Sequence, residues 1–566
     1  MNLTLNPRLR IRVFAFVSLL SLLLPSIPQL QPGGSDLTAK VDKVFAQFDK
    51  PDSPGCALAV IKDGQIIYNR GYGMADLDHD IPIKPDTPFH VASVSKQFAA
   101  FSILLLAKQG KLSLDDKVQK HITELREFDQ PITIRHLLHH TSGLRDQWNL
   151  LIMSGWRLGE DVVRDDDILD LVSRMKELNF KPGDQHAYCN TGYTLLAYIV
   201  KRVSGQSLRE FAEANIFKPL GMTRTIFRDD HAIIIKHQAY AYNSGPNNAF
   251  KLSVPNYDTV GASSLVTTVE DLARWDQNFY DKKVGGDWVI EQMQIRGQLN
   301  DGEQISYARG VVVGSYRGLK VVEHSGGDAG YRSHLMRFPE QRFSVACLCN
   351  YGRTNPGGFA RQVADVYLAS SLGPEPPKPA PVTSAVTLTE QELKNKVGEY
   401  WDAKTEEIGR ISINDGKLQL TVSGLNAALV PVEANRFRVA EPPAEVVFEA
   451  APEGNPLRLT LNIPDRKPIM MDAMPPADAS KLNEYEGVYY SEEIDSTYRV
   501  TLKDGNLVVT RKKAGPTPLT PRFRDAFGSI GILGVFRFTR DSQNRVNGFR
   551  LSAGRVRNFL FVKQAR

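Results

Sequence analysis

Ser93-Val94-Ser95-Lys96 sets a hydroxyl and an amine three residues apart. On a helix, positions i and i+3 share a face, so an amine there can take the hydroxyl's proton and turn the oxygen into a nucleophile. The spacing recurs at Ser173-Arg174-Met175-Lys176, but that serine stands among charged residues typical of a solvated helix. Ser93 instead follows an extended segment with Pro88 and opens an apolar stretch containing Phe98, Phe101, Ile103, Leu104 and Leu105. A buried helix that begins at the reacting hydroxyl aims its free N–H groups at a developing oxyanion. Two more motifs follow, 95 and 136 residues further on in turn. Tyr188-Cys189-Asn190 is the chain's single Y-x-N and precedes a helical pattern. His324-Ser325-Gly326-Gly327 ends a strand pattern. Its glycines let a substrate backbone lie along the strand edge, with the N–H groups of Gly327 and Ser93 forming an oxyanion hole.

S-x-x-K, Y-x-N and H-x-G in this order resemble the penicillin-recognising serine hydrolases: class C β-lactamases, DD-peptidases, D-aminopeptidases and related esterases. The resemblance covers roughly residues 37–372. It extends to Thr133-Ile134-Arg135-His136-Leu137-Leu138-His139-His140-Thr141-Ser142-Gly143-Leu144 and to Thr268-Val269-Glu270-Asp271-Leu272-Ala273-Arg274-Trp275. It implies that Ser93 attacks a carbonyl and forms an acyl-enzyme, with the proton taken by Lys96 as general base or by Tyr188 as phenolate. Asn190 would orient the substrate amide and Lys96, while Ser325, Gly326 and Gly327 would bind substrate. His324 occupies a place where many relatives carry Lys. A neutral imidazole offers a hydrogen bond rather than a permanent cation, which favours substrates without an obligatory carboxylate. Cys189 replaces the usual Ser or Ala.

These motifs need a frame. Strand patterns at 56–62 and 65–73 flank Asp63-Gly64, a hairpin signal, and further strand patterns come at 310–316, 320–325, 331–338 and 343–349. Helical patterns, such as 97–108, 191–203 and 208–216, lie between the two groups, and a last one covers 359–372. Strands at both ends of a helical region predict an α+β domain over 33–372, one antiparallel sheet carrying a helical insert. A Pro-rich linker is read over 373–386, and two small all-β, barrel-like domains over 387–475 and 476–566. The last two repeat each other. Tyr400 and Tyr489, Asp415-Gly416 and Asp504-Gly505, and Leu418 and Leu507 stand 89 apart. Beyond one inserted residue the offset is 90, as for Leu429 and Leu519, Phe448 and Phe538, and Leu461 and Leu551. Tandem β domains behind such a catalytic domain resemble the D-aminopeptidases, in which a barrel loop reaches the active site.

Composition sets the outer limits. With 566 residues, 42% hydrophobic and 23% charged, the chain is globular and too long for one core. A net charge of +5 is too small to indicate a nucleic-acid partner, although residues 481–566 hold 16 basic and 8 acidic side chains. Arg511-Lys512-Lys513 reads as a solvated basic surface. Arg8, Arg10 and Arg12 ahead of the apolar run 13–24 read as a secretory signal within 1–32, so an exported, periplasmic or secreted protein is expected, membrane-bound only if that segment is retained. Four cysteines are too few for a disulfide framework, and Cys347 and Cys349 read as core residues. His136, His139 and His140 read as a packed helix end, and Asp165-Asp166-Asp167 as a helix start. The expectation is a serine hydrolase without metal or cofactor, acting on a small peptide or amide. An esterase, a β-lactamase or a non-catalytic envelope sensor remains an alternative. Oligomeric state is left open.

Overall fold

The computed structural model describes residues 34–375 and 384–565, apart from 423, 440, 442, 450–456, 465 and 530–532. The segment read as a secretory signal and most of the Pro-rich stretch lie outside the described residues. Helix α1 (Gly34–Phe45) leads into the hairpin β1 (Cys56–Lys62) and β2 (Gln65–Tyr72). Asp63 and Gly64 turn it at φ 50° and 76°, the left-handed pair that matches the twist of the flanking strands. Helices α2 (Lys96–Lys108) and α3 (Asn190–Ser204) belong to the insert. Strands β3 (Val312–Tyr316), β4 (Leu319–Asp328), β5 (Tyr331–Phe338) and β6 (Phe343–Cys349) follow, and α4 (Pro356–Tyr367) closes the unit. The sheet runs β3-β4-β5-β6-β1-β2, all antiparallel, so the first hairpin docks on the last strand.

Burial explains this arrangement. β1 is buried along nearly its whole length because both sheet faces are covered. Val41 and Phe45 of α1 and Phe359 and Val363 of α4 pack on one face. The helix Val269–Asp281 lies on the other, and the largely apolar α2 packs against it through Phe98 and Phe101 on Trp275. The helix read over 208–216 forms and runs on to Leu220, but it is not α-helical throughout. A helical turn at Leu208–Ala212 widens into a π turn at Glu213–Phe217, just before Pro219, which has no N–H to donate. Among the described residues no helix is long and apolar enough to cross a membrane.

Two sequence readings are corrected. Cys349 is not a free core thiol: it forms a disulfide with Cys56, directly opposite it in the β1–β6 register. The partners are 293 residues apart, so only the pairing of first and last strands brings them together. Cys347 stays reduced in the core, its Sγ 3.8 Å from that of Cys349. The basic surface read at Arg511-Lys512-Lys513 is corrected in part: Lys512 and Lys513 are exposed, but the last unit also directs cations at the catalytic unit. Arg511 Nη1 donates to the carbonyl of Ile152 at 2.8 Å, Lys513 pairs with Asp161, and Arg550 with Glu177.

Both β copies are antiparallel meanders. The second closes into a barrel of eight strands from Gly487–Ser491 to Val556–Lys563. The first is a nine-stranded sheet whose end strands, Leu425–Ala428 and Val430–Glu433, are consecutive in the chain. Together they stand where the second copy has one strand, Ala514–Phe523. The repeat persists in detail: Tyr400 and Tyr489 each donate their hydroxyl to a carbonyl four residues back, both at 2.7 Å.

Candidate active site

A short 3-10 turn, Ala92–Ser95, precedes α2 and holds Ser93, and Ala92 adopts a left-handed φ of 47° just before it. Lys96 is the first residue of α2 and has no exposed surface. Its Nζ lies 3.2 Å from Ser93 Oγ, 3.0 Å from Asn190 Oδ1 and 2.7 Å from the carbonyl of Ala262. Asn190 Nδ2 donates to Asp146 Oδ2 at 2.9 Å, so its Oδ1 is the end that meets the amine. Burial pushes the Lys96 amine down to about 7; Asp146 opposes this and Arg555 adds to it. A neutral amine has two N–H bonds and one lone pair. Two carbonyl oxygens take the N–H groups, which leaves the lone pair for the hydroxyl of Ser93.

Tyr188 completes the group. Burial raises its phenol above the ordinary value, while a hydrogen bond with Ser93 and the nearby Arg555 pull the other way. Of the two candidate bases, the amine is the one that is free at neutral pH. His140 fixes the loop that carries Tyr188: its ring stacks 4.2 Å from the phenol ring, and its Nδ1 accepts from Cys189 N at 3.1 Å. Burial holds His140 neutral. Cys189 is buried and its thiol is pushed up to about 12, so it serves as a spacer in this loop.

The third motif is more divided than its sequence suggests. Gly326 brings β4 against the nucleophile's turn, since a Cβ there would lie 2.3 Å from the carbonyl of Val91 and 3.1 Å from Ser93 N. β3 pairs with β4 only as far as Glu323, which leaves the edge beyond it open on that side. Gly327 lines the catalytic cavity. His324 turns inward and does not offer the expected hydrogen bond to a substrate. Its Nδ1 donates to the carbonyl of Ser325 at 2.6 Å, and its Nε2 accepts from Tyr307 Oη at 3.0 Å. Burial, then Lys96, push this imidazole down to about 3. Ser325 Oγ is also occupied, 2.9 Å from His334 Nδ1.

The cavity around Ser93 has a volume of about 560 Å³, with Trp148, Tyr257 and Val254 among its apolar walls. Three of its features escaped the sequence reading. Asp328 sits beside Gly327. Burial pushes its carboxyl up, but the hydrogen bond from His90 and then that from Tyr257 outweigh this and hold it below the ordinary value. Asp146 lies beneath Asn190, two residues beyond the family-like stretch that ends at Leu144. Arg555 comes from the last unit, with its guanidinium 4.8 Å from the Tyr188 ring centre. No motif marks any of them. His136, His139 and His140 do not converge on a common point; His136 accepts from Thr133 N in a helix cap. Of the donor clusters found among the described residues, neither Cys56, Cys347 and Cys349 nor Asp230, His231 and Asp258 contributes to the cavity.

The Beta-lactamase family profile matches residues 41–369. The chain is 27% identical to a D-aminopeptidase of Gluconobacter oxydans over 465 residues, 81% of this chain and 83% of that one. It is 33% identical to penicillin-binding protein 4* of Bacillus subtilis over 315 residues, 53% of this chain and 69% of the relative. Among solved structures it resembles an octameric penicillin-binding protein homologue from Pyrococcus abyssi, with a TM-score of 0.54 at 25% identity over 77% of this chain and 99% of that one. A D-amino acid amidase from Ochrobactrum anthropi shares the fold, with a TM-score of 0.51 at 20% identity over 59% of this chain and 99% of that one. The chain belongs to the beta-lactamase family of serine hydrolases.

Proposed function

We propose that the chain is an exported peptidase or amidase of D-aminopeptidase type that works through an acyl-Ser93 intermediate. The observation that carries this reading is the Lys96 amine held between Asn190 Oδ1 and the Ala262 carbonyl, with its lone pair left for Ser93. Lys96 takes the proton of Ser93 as Oγ attacks the carbonyl, and the N–H groups of Ser93 and Gly327 receive the oxyanion. Tyr188, neutral and bonded to Ser93 Oγ, passes a proton to the leaving amine and recovers one from the water that frees the acyl group. His324 keeps Tyr307 and the start of the open strand edge in place. Asp328 supports a substrate with a free amino group: it is an ionised carboxylate in the cavity wall, next to the oxyanion strand. The D-aminopeptidase relatives favour the same substrate class. Export rests on the basic and apolar pattern of residues 8–24.

A fluorophosphonate probe compared between wild type and Ser93→Ala tests the reading. The wild type should form a covalent adduct, and the variant should lose essentially all of it. Plotted against pH, the labelling rate should rise through a midpoint near about 7, where burial sets the Lys96 amine, because only the deprotonated amine accepts the proton. D-amino-acid p-nitroanilides should turn over faster than p-nitrophenyl esters or nitrocefin relative to their uncatalysed rates. A wild type without a Ser93-dependent adduct rejects the hydrolase reading, and preferred turnover of nitrocefin rejects the substrate class.

A further inference from the structure

Arg555 lies on the turn between the last two strands of the barrel, Val546–Ala553 and Val556–Lys563. This turn is fastened to the catalytic unit by its backbone. Arg555 N donates to Asn149 Oδ1 at 3.2 Å, and its carbonyl accepts from Asn179 Nδ2 at 2.9 Å. Arg557 N donates to Asn179 Oδ1 at 2.9 Å. Gly554 fits the turn because its φ is +57° and any Cβ would fall on the Asn149 amide. The side chain then runs into the cavity, where its guanidinium stacks on Tyr188 and approaches Asp146 Oδ2 at 3.6 Å.

Asp146 needs such a neighbour. Its side chain is 1% exposed, and among the described residues Arg555 is the one cation within ion-pair distance. Asp146 Oδ2 accepts from both N and Nδ2 of Asn190, at 2.8 and 2.9 Å, and Oδ1 accepts from Trp148 N at 3.1 Å. A continuous chain of contacts therefore links the barrel to the nucleophile: Arg555, Asp146, Asn190, Lys96, Ser93. We propose that Arg555 acts as a positioning residue that offsets the Asp146 carboxylate and so helps burial hold Lys96 in its proton-accepting form. The proposal deepens the hydrolase reading above and rests on Lys96 as its base.

The physical reason is charge balance around a buried amine. Without Arg555, the Asp146 carboxylate lies one hydrogen-bonded side chain away from Lys96 and favours the ammonium form, which cannot accept a proton. With Arg555 in place that bias is offset. The other groups facing Lys96 are the rings of Tyr188 and Tyr193, the imidazoles of His140 and His324, the thiol of Cys189 and the more distant carboxylate of Asp328. Burial disfavours charge on both imidazoles and on the thiol, so none of these replaces the cation that Arg555 provides.

The test is a direct titration of Lys96 in the full chain, followed by the 13Cε shift of labelled lysine in wild type, Arg555→Gln and Arg555→Lys. A Lys96→Met sample identifies the signal, which stands apart from solvent-exposed lysines. Arg555→Gln should raise the midpoint by about half a unit to one unit, and Arg555→Lys should restore most of the difference. Fluorophosphonate labelling of Ser93 just below neutral pH should slow by roughly threefold to tenfold in Arg555→Gln. Midpoints of wild type and Arg555→Gln that agree within about 0.2 unit overturn the proposal, even if labelling changes, because Arg555 would then act on the probe alone. The titration does not depend on turnover. A wild type without a Ser93 adduct therefore defeats the hydrolase reading and leaves the charge coupling to be judged on the lysine midpoint.

Discussion

The two β copies share a meander and a sequence register, yet they hold different places in the molecule. The second belongs to the catalytic unit: its Tyr498, Phe549 and Phe559 are part of one continuous apolar core with Leu150, Leu151 and Met153. The first keeps a separate core built around Leu420, Phe437 and Leu459. It meets the second through pairs such as Glu399 with Arg522, and the catalytic unit through Lys467 with Asp301, whose side chains are exposed. The repeat register identifies the residues responsible. Tyr498, whose hydroxyl reaches the carbonyl of Met153 at 2.7 Å, stands 89 residues beyond Gly409. Glu493, which receives the buried Arg145, stands 89 beyond Lys404, whose like charge would repel that guanidinium. Arg555 stands 90 beyond Asp465. The second copy thus differs from its sister at a few positions that meet the catalytic unit, and one of them, Tyr498, does so from inside the barrel, its ring against Phe549 and Phe561.

The largest expected effect separates these two kinds of attachment. Arg145 is buried at the interface, 3.0 Å from Glu493, and its remaining carboxylate partner, Glu177, is half-exposed and shared with Arg550. Glu493 also accepts from Lys176 N at 2.7 Å. Glu493→Ala leaves a buried guanidinium short of charge and an N–H without its partner, a loss of about 3 kcal/mol or more. Glu399→Ala in the first copy frees Arg410 and Arg522, both with access to water, and should cost about 1 kcal/mol. The urea midpoint for loss of Ser93 labelling checks both. It should fall sharply for Glu493→Ala and barely for Glu399→Ala. Equal falls would break the contrast between an incorporated and an appended copy.

What could be read beforehand follows the same division. Features set by local patterning were legible: the Asp63-Gly64 hairpin, the apolar helix opening at Ser93, the Tyr188 loop and the 89–90 register each depend on residues near one another in the chain. The pairing of Cys56 with Cys349 was not, because it depends on the sheet joining its first and last strands. His324 was placed on the right strand and read as facing substrate; its contact with Tyr307 was not legible, since Tyr307, which occupies its Nε2, lies in a loop without any motif. Arg555 was hidden for a further reason. One arginine on a tight turn in a basic unit carries no signal until docking sets it above Tyr188.

The smallest expected effect sharpens the comparison most finely, because it removes only one oxygen atom. Tyr400→Phe and Tyr498→Phe each delete a buried hydroxyl that donates to a backbone carbonyl, at a cost of about 1 kcal/mol. The chemistry is matched and the carbonyls differ: Tyr400 serves its own copy at Lys396, whereas Tyr498 serves the catalytic unit at Met153. Hydrogen exchange read by peptide should therefore respond in different places. Tyr400→Phe should speed exchange in Glu407–Asn414 and Lys417–Val422 of the first copy and leave the helix Gln147–Met153 unchanged. Tyr498→Phe should speed exchange in Ser496–Lys503 and in that helix together, because the lost bond joins them. If the helix kept its wild-type protection in Tyr498→Phe, the second copy would be held by its apolar surface and charges alone, and the tyrosine that distinguishes it from Gly409 would serve only the barrel.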